Sequence, residues 1–295
     1  LQNIWTLDWL KGNTKNHDAV LGQISKLLQL GQKQWPEDPW FVARTIQFEL
    51  EQMRTADTDQ NNPLRPEVVS ELENRLLALQ MQFPNSVEVI ETALNWQNDR
   101  FAIAASQGDV PAVKMALERR IELSRKFADL NKSQDPQAGL FLVQALVVRA
   151  SVESTLSNSE LVRSLLDEAS AVLASVPNPG SVREHRRLSA EVARLRGTLA
   201  MQHGELAEAE PEFRAAIESL QQLVADFPND IGLRFNLAQV QFELASALWS
   251  ANRTSESHEL LELAQLQIKT LLNLVPDHYA AQNLQARIQV ALETK

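Results

Sequence analysis

The chain has 295 residues, a formal net charge of −10 and no cysteine, so disulfides, thiolate catalysis and zinc–thiolate sites are excluded. The acidic balance is unfavourable for a nucleic-acid surface, which normally carries a basic excess. Hydrophobic residues make up 44 % of the chain and aromatic residues only 6 %. Because good helix formers dominate the rest, this composition predicts a folded, all-α protein.

Two series of turns recur at one period along the sequence. Six prolines follow each other at steps of 41 to 52 residues: Pro36, Pro84, Pro136, Pro177, Pro228 and Pro276. Between them, polar or glycine-containing turns recur at steps of 46 to 50 residues: Gly12, Asp59, Gly108, Asn158, Gly204 and Asn252. Four of the prolines stand between an apolar residue and a capping-type residue, a motif that ends one helix and begins the next. A repeating unit of about 48 residues predicts stacked helical hairpins.

The two series of turns divide the chain into helices. In chain order, the predicted ranges are 2–11, 17–34, 38–55, 65–82, 86–106, 110–129, 138–156, 159–175, 181–203, 206–226, 230–250, 254–274 and 277–293. Apolar residues recur along these helices at three- and four-residue steps, for example over 254–274. Such a face cannot be buried within one hairpin, so neighbouring hairpins are expected to stack.

No motif for catalysis, a cofactor or a metal is present in the sequence. Phosphate-binding glycine loops, dinucleotide fingerprints, nucleophile elbows and paired zinc-ligand histidines do not occur. The longest irregular stretch, about 55–65, is predicted to be a solvated loop. Its acidic run begins like a calcium loop but lacks the glycine and the glutamate that an EF-hand places at its sixth and twelfth positions. We therefore predict a segment that is not an enzyme and binds no cofactor.

The segment 195–228 carries the most specific family resemblance. Its signature residues are Gly197, Gly204, Ala209, Phe213, Ala216 and Pro228. The pattern resembles the tetratricopeptide repeat (TPR), with a small residue where the two helices touch, a glycine turn, and small and aromatic packing residues in the second helix. The match extends over about 181–275. The unit is longer than the usual repeat of about 34 residues, and the large aromatic residue of the first helix is mostly missing.

The resemblance implies a fold and a mode of action. It implies one right-handed α-solenoid over 1–295, with about six TPR-like hairpins and a C-terminal capping helix, degenerate over 1–175 and clearer over 176–295. First helices line the concave groove of such arrays, where a protein or peptide partner would bind. Aligned to this sequence, the groove residues are Glu191, Arg194, Thr198, Met201, Gln202, Gln239, Phe242, Ser246, Trp249 and Ser250.

An arginine-rich helix adds two further candidate binding residues. Arg183, Arg187 and Arg194 fall near one face of helix 181–203. One interpretation is a solvated face in which these arginines pair with Glu184 and Glu191. The other is an anchor for an acidic peptide or a carboxylate, which arginine can bind in a bidentate manner.

The tryptophans are concentrated in the first third of the chain: Trp5, Trp9, Trp35, Trp40 and Trp96. They either pack in a core or form a docking surface, since exposed tryptophan clusters mark interfaces. Similar long-helix arrays are appended to bacterial receptor-type serine/threonine kinases and other signalling proteins. The sequence therefore predicts a sensory or scaffold region of a larger bacterial signalling protein; the alternative is an oligomerisation module acting through the tryptophan-rich third.

The chain begins with leucine and is expected to be a piece of a longer protein. No apolar run approaches the roughly 20 residues of a membrane span, so we predict no direct membrane insertion in this segment. The sequence leaves open whether it lies in the cytoplasm or outside the membrane.

Overall fold

The structure is a computed structural model, and it describes residues 17–56, 66–132, 135, 137–177 and 183–293. These residues form twelve α-helices, and no strand occurs among them. The helices are α1 His17–Gln34, α2 Pro39–Ala56, α3 Pro66–Gln82, α4 Val87–Gln107, α5 Val110–Asn131, α6 Gly139–Thr155, α7 Ser159–Ser175, α8 Arg183–Gln202, α9 Leu206–Asp226, α10 Ile231–Ser250, α11 Thr254–Leu274 and α12 Tyr279–Glu293.

The prediction of an all-α fold is confirmed for the described part of the chain. Each described helix begins and ends within two residues of its predicted bounds. The predicted helix at 2–11, most of the predicted loop at 55–65, and Trp5 and Trp9 lie outside the described residues.

The chain divides into two compact units, unit 1 (Leu1–Asn131) and unit 2 (Lys132–Lys295). In unit 2, α6–α7, α8–α9 and α10–α11 form hairpins that stack in chain order, and α12 packs on α10 and α11 as a capping helix would. In unit 1, α2–α3 and α4–α5 form hairpins, and α1 packs on α2. Within each unit, this stacking of adjacent helix pairs is that of a helical solenoid with TPR-like repeats. One continuous solenoid over 1–295 stays a prediction.

The turns inside four hairpins share one backbone geometry. Each contains a residue with positive φ, namely Gly108 (68°), Ser157 (59°), Gly204 (77°) and Asn252 (60°). In each turn, a following N–H donates to the carbonyl five residues back, as Glu205 does to Ala200 at 2.9 Å. This bond satisfies a carbonyl that the end of the helix leaves free. The positive φ explains why glycine or a small polar residue recurs at these positions.

The turns between hairpins share a second geometry, which is built on proline. They are residues 35–38, 83–86, 227–230 and 275–278, each with proline at its second position. The N–H of the fourth residue donates to the carbonyl of the first at 3.0 to 3.2 Å, an arrangement that the fixed φ of proline favours. The fourth residue is Asp38, Ser86, Asp230 or His278, and its side chain accepts an N–H from the next helix. The capping residue is therefore the second residue after the proline, whereas the sequence pattern predicted a capping residue directly after the proline.

Packing inside the α8–α9 hairpin follows the predicted TPR pattern. Gly197 of α8 lies against the ring of Phe213 of α9, and Phe213, Ala209 and Ala216 are buried in the core of unit 2. In the next hairpin, the position of Ala209 is taken by Ser257 of α11. The Ser257 hydroxyl donates to the Ala245 carbonyl of α10 at 2.7 Å. A small residue at this position therefore lets the two helices of each hairpin approach closely.

One core cluster of unit 1 is formed by aliphatic side chains of α2, α3 and α4 around one tryptophan. That tryptophan is Trp96, which is only 1 % exposed. Trp40 is half-buried, whereas Trp35 is 49 % exposed and stacks on Phe41 with ring centroids 5.3 Å apart. Of the three described tryptophans of the first third, only Trp35 is exposed.

Candidate partner-binding face of unit 2

The first helices of the unit 2 hairpins contact one another in succession, α6 with α8, α8 with α10, and α10 with α12. Polar side chains join them. Gln202 Nε2 of α8 donates to the carbonyl and the hydroxyl of Ser154 of α6, at 3.2 and 3.0 Å. The first-helix face is defined here by the half-buried and exposed candidate residues of α8 and α10: Glu191, Thr198, Met201, Gln202, Gln239, Ser246, Trp249 and Ser250.

Arg194 lies beneath this face, between α8 and α10, and is only 8 % exposed. Its Nη2 donates to Glu191 Oε1 at 2.6 Å, and its Nη1 donates to Glu243 Oε1 at 2.9 Å. Gln239 Nε2 donates to the same oxygen of Glu243 at 3.0 Å. One guanidinium therefore holds a carboxylate of its own helix and a carboxylate of the next hairpin.

Arg194, Glu191, Glu243 and Gln239 form what we call the Arg194 cluster. Its arginine is well compensated by the two carboxylates, whereas Glu243 is less well compensated. Burial alone would lower the pKa of Arg194, but the hydrogen bonds and charges of Glu191 and Glu243 outweigh it, so the pKa is raised. Burial is the largest effect on Glu243 and raises its pKa; Arg194 and Gln239 offset this only in part, and repulsion by Glu191 raises the pKa further. The Oε2 atom of Glu243 is buried and has no hydrogen-bond partner among the described residues.

The other arginines of α8 also contact carboxylates. The pairs are Arg183 with Asp230, Arg186 with Asp226, Arg187 with Glu184, and Arg196 with Asp167. The hydrogen bond from Arg187 lowers the pKa of Glu184. Arg183 also lies over the ring of Phe227, 4.5 Å from its centroid. The arginine-rich segment is therefore neutralised by nearby acids, and acidic-peptide binding at Arg183, Arg187 or Arg194 stays a prediction.

Two further candidates of α8 and α10 serve packing in this structure. Thr198 Oγ1 donates to the Arg194 carbonyl at 3.0 Å, a bond within its own helix. Phe242 is buried, and Arg287 of α12 lies over its ring, 4.6 Å from the centroid. Phe242 therefore belongs to the seam between α10 and α12 and presents little surface to a partner.

Ser246, Trp249 and Ser250 line a cavity at the C-terminal end of α10, which we call the Trp249 cavity. Its volume is about 280 Å³, and its other walls are Ser257 and Leu261 of α11 and Ala291 of α12. Trp249 is 36 % exposed at its mouth. Three residues predicted for the groove are thus brought together, whereas Ala291 was missed because its place over α10 depends on the packing of a third helix.

A second opening lies between α7 and α9, with α8 as its floor. This cleft has a volume of about 520 Å³, and Asp167, Arg196, His203, Glu208 and Glu212 are among its walls. Sequence reasoning did not single it out because its residues come from three helices and form no local motif. Arg196 donates to Asp167 at 2.9 Å, so part of its charge is paired internally.

No cluster of three or more histidine, aspartate or glutamate side chains has the arrangement of a metal site in the ranges from 17 to 293 that the structure describes. None of the twelve described helices combines the length and apolar character that a membrane crossing requires.

The sequence matches no protein-family model, and no curated protein is similar to it. Among solved structures, the chain is similar to a tetratricopeptide repeat protein from Parabacteroides merdae ATCC 43184. That alignment covers 96 % of this chain and 98 % of the other chain, with 11 % sequence identity and a TM-score of 0.43.

Proposed function

We propose that unit 2 is a non-catalytic scaffold that binds a segment of a protein partner on its first-helix face. The observation that carries this proposal is the Trp249 cavity, an open cavity placed among three residues of the predicted groove. A partly exposed tryptophan beside a cavity is the kind of position that dominates binding energy at protein interfaces. The non-catalytic part of the proposal rests on the lack of catalytic motifs in the sequence.

The neighbouring polar residues suit such a face. Gln202, Gln239 and Ser246 are exposed or half-buried side chains whose amide and hydroxyl groups can bond a peptide backbone. They lie on helices held together by the Arg194 cluster and the Gln202–Ser154 bonds. A face fixed in this way loses little conformational entropy when a partner binds.

A selection of random peptides displayed on phage tests the proposal. The full chain is immobilised and selected in parallel with its Trp249→Ala variant and with Trp35→Ala, a matched control that removes an exposed tryptophan from unit 1. We expect related peptides to be enriched on the wild-type chain and on Trp35→Ala, and to bind Trp249→Ala at least tenfold more weakly, as loss of a hot-spot residue would cause. Failure to enrich any peptide, or equal binding to a folded Trp249→Ala variant, would contradict the proposal.

The parent protein is part of the same proposal. We propose that the scaffold belongs to a larger bacterial signalling protein, of which a receptor-type serine/threonine kinase is one form, on the strength of the long-helix TPR resemblance. Reading the coding sequence on both sides of this segment tests it. A kinase or other signalling domain in the same reading frame would support the proposal, and a metabolic enzyme domain would contradict it.

A specific observation supports self-association as a second candidate. On α1, Leu27 and Leu30 are 63 and 64 % exposed, and the exposed Trp35 follows them. Apolar side chains at such spacing on one helix are typical of a contact surface. Sedimentation velocity over a range of concentrations tests this candidate. We expect a concentration-dependent dimer that Leu30→Glu abolishes; a monomer at all concentrations would exclude it.

A further inference from the structure

The three serine hydroxyl groups of the Trp249 cavity already donate their protons to backbone carbonyls. Ser246 Oγ is 2.9 Å from the Phe242 carbonyl oxygen, and Ser250 Oγ is 3.0 Å from the Ser246 carbonyl oxygen. Ser257 Oγ is 2.7 Å from the Ala245 carbonyl oxygen. A carbonyl oxygen can only accept, so each hydroxyl donates to it and retains only its lone pairs for a further partner.

A ligand of this cavity therefore has to supply hydrogen-bond donors. Three serine oxygens act as acceptors, and no carboxylate or cationic side chain is among the described wall residues. Leu261, Ala291 and the indole of Trp249 supply apolar surface beside them. This combination suits a group with an apolar stem and a donor-rich head, and it disfavours a carboxylate, which has only acceptors.

The backbone around the cavity favours a positive head. Ser246, Trp249 and Ser250 belong to the last turns of α10, and Ala291 belongs to the last turn of α12. The C-terminal end of a helix carries a partial negative charge of about −0.5 and stabilises cations. The opposing features are the first turn of α11 and Arg253 directly before it, and Arg253 pairs with Glu256 of that turn and with Glu210 of α9.

The same seam already holds one cation against an aromatic ring. One helical turn before Ser246 and Ala291, Arg287 of α12 lies over Phe242 of α10. At the next turn, the described residue of α12 that lines the cavity is the short Ala291. The indole is the aromatic ring that attracts cations most strongly. Among the described residues, the cavity is thus the position of a cation–ring contact for which only the ring is supplied.

We propose that the Trp249 cavity binds the lysine side chain of a protein partner, with the ammonium group donating to the serine oxygens and the stem lying along Leu261 and Ala291. The lysine would come from the segment that the first-helix face binds, so this assignment of the source rests on the proposed function. The net charge of −10 is the complement of a lysine-bearing partner.

The probe for the cavity itself is n-butylammonium, which has the stem and head of a lysine side chain. It is added to the ¹⁵N-labelled full chain, and the six indole N–H signals are followed by NMR. The Trp249 signal is assigned with Trp249→Phe. We expect a saturable shift of this signal, a response about tenfold weaker to neutral 1-pentanol, which lacks the charge, and no response to butyrate.

Paired variants separate the cavity from general effects. The double variant Ser246→Ala, Ser250→Ala removes two acceptors without removing a core side chain, and it is expected to weaken the butylammonium response about tenfold. The matched control is Ser170→Ala on α7, whose hydroxyl makes the same bond to a carbonyl one turn earlier, at 2.8 Å to Leu166. This control is expected to respond as the wild-type chain does.

Two sets of results would overturn the inference. The first is a butylammonium response that is absent, matched by 1-pentanol, or unchanged in the double serine variant. The second comes from the peptides selected on the wild-type chain: if they depend on Trp249 but keep their affinity when each lysine is replaced by norleucine, the lysine assignment is wrong while the proposed function stands. A specific butylammonium response without any selected peptide would instead sustain the ammonium site and contradict the proposed function.

Discussion

Gly197 of α8 and Phe213 of α9 touch where only glycine leaves room: a Cβ atom at Gly197 would lie 2.9 Å from Cδ1 and Cε1 of the phenylalanine ring. Phe213 is buried, so its ring cannot move aside without disturbing the core. We expect Gly197→Ala to lower the free energy of unfolding by about 1 kcal/mol, because overpacking of about 1–3 kcal/mol exceeds the helix-propensity gain of about 1 kcal/mol. Urea unfolding of the wild-type chain and of Gly197→Ala measures this difference in the free energy of unfolding.

A double-mutant cycle is the control for the glycine prediction. In a Phe213→Leu background the ring is absent, so the alanine should cost less or become stabilising. The same loss in both backgrounds would show that the close contact is not the cause.

Glu243 and Glu210 are predicted to respond to pH in opposite directions. Burial raises the pKa of Glu243 above its ordinary value of 4.5, so the stability it contributes is present below that value and lost as the pH rises through the raised pKa. The hydrogen bond from Arg253 lowers the pKa of Glu210, so its contribution is present above 4.5 and lost as the pH falls. Both carboxylates bond an arginine of a neighbouring hairpin, which makes each the control for the other.

The measurement is thermal unfolding of Glu243→Gln and Glu210→Gln from acid to neutral pH. Relative to the wild-type chain, Glu243→Gln should become more stable as the pH rises above 4.5, whereas Glu210→Gln should become less stable. Both should approach the wild-type value in acid. Differences of the same sign in both variants would contradict the assignment of opposite shifts.

Removal of Arg194 and removal of Arg187, two of the three candidate arginines of α8, should have very different effects. Arg194→Met leaves Glu191 and Glu243 without their shared cation in a mostly buried place, and we expect a loss of about 3 kcal/mol. Arg187→Met breaks a pair with the half-buried Glu184 on its own helix, and we expect a loss below about 1 kcal/mol. Urea unfolding of both variants measures the two losses of stability. Equal losses would show that the burial of Arg194 is unimportant.

The proline turn before α10 gives a prediction for capping. Asp230 Oδ1 accepts the N–H of Leu233 at 2.9 Å, and Asp230 also pairs with Arg183. We expect Asp230→Ala to cost about 1–2 kcal/mol and Asp230→Asn clearly less, because asparagine is also a good capping residue. Asn229→Ala, one residue earlier in the same turn, is the control in denaturant unfolding. If Asp230→Asn is as damaging as Asp230→Ala, the ion pair and not the cap provides the stability.

Much of the fold could be predicted because its signals are local. Proline fixes one backbone angle, and the residue two positions later caps the next helix through bonds within four residues. Glycine, serine or asparagine in the other turns takes a positive φ that few residues adopt easily. Helix bounds followed from these two turn types without knowledge of any long-range contact.

The candidate site was predicted less completely, because its properties depend on residues one repeat away. Arg194 was assigned to the groove from its position on α8, but it is buried and forms an ion pair with Glu243, a residue of the next hairpin. The partners of Arg183 and Arg186 likewise lie about one repeat later, at Asp230 and Asp226. The Trp249 cavity requires a short side chain at Ala291 of α12, which no pattern within α10 could indicate.

The identical bonding of the four proline turns has a consequence for how such a chain can change its length. A cut in the turn at 227–230 and another in the turn at 275–278 would release a fragment whose two ends lie in turns closed by the same backbone hydrogen bond. Duplication or loss of that fragment rejoins the chain on a turn it already possesses, and no new loop has to arise. Arrays built in this way can therefore gain or lose whole hairpins by gene rearrangement while each junction keeps its stability.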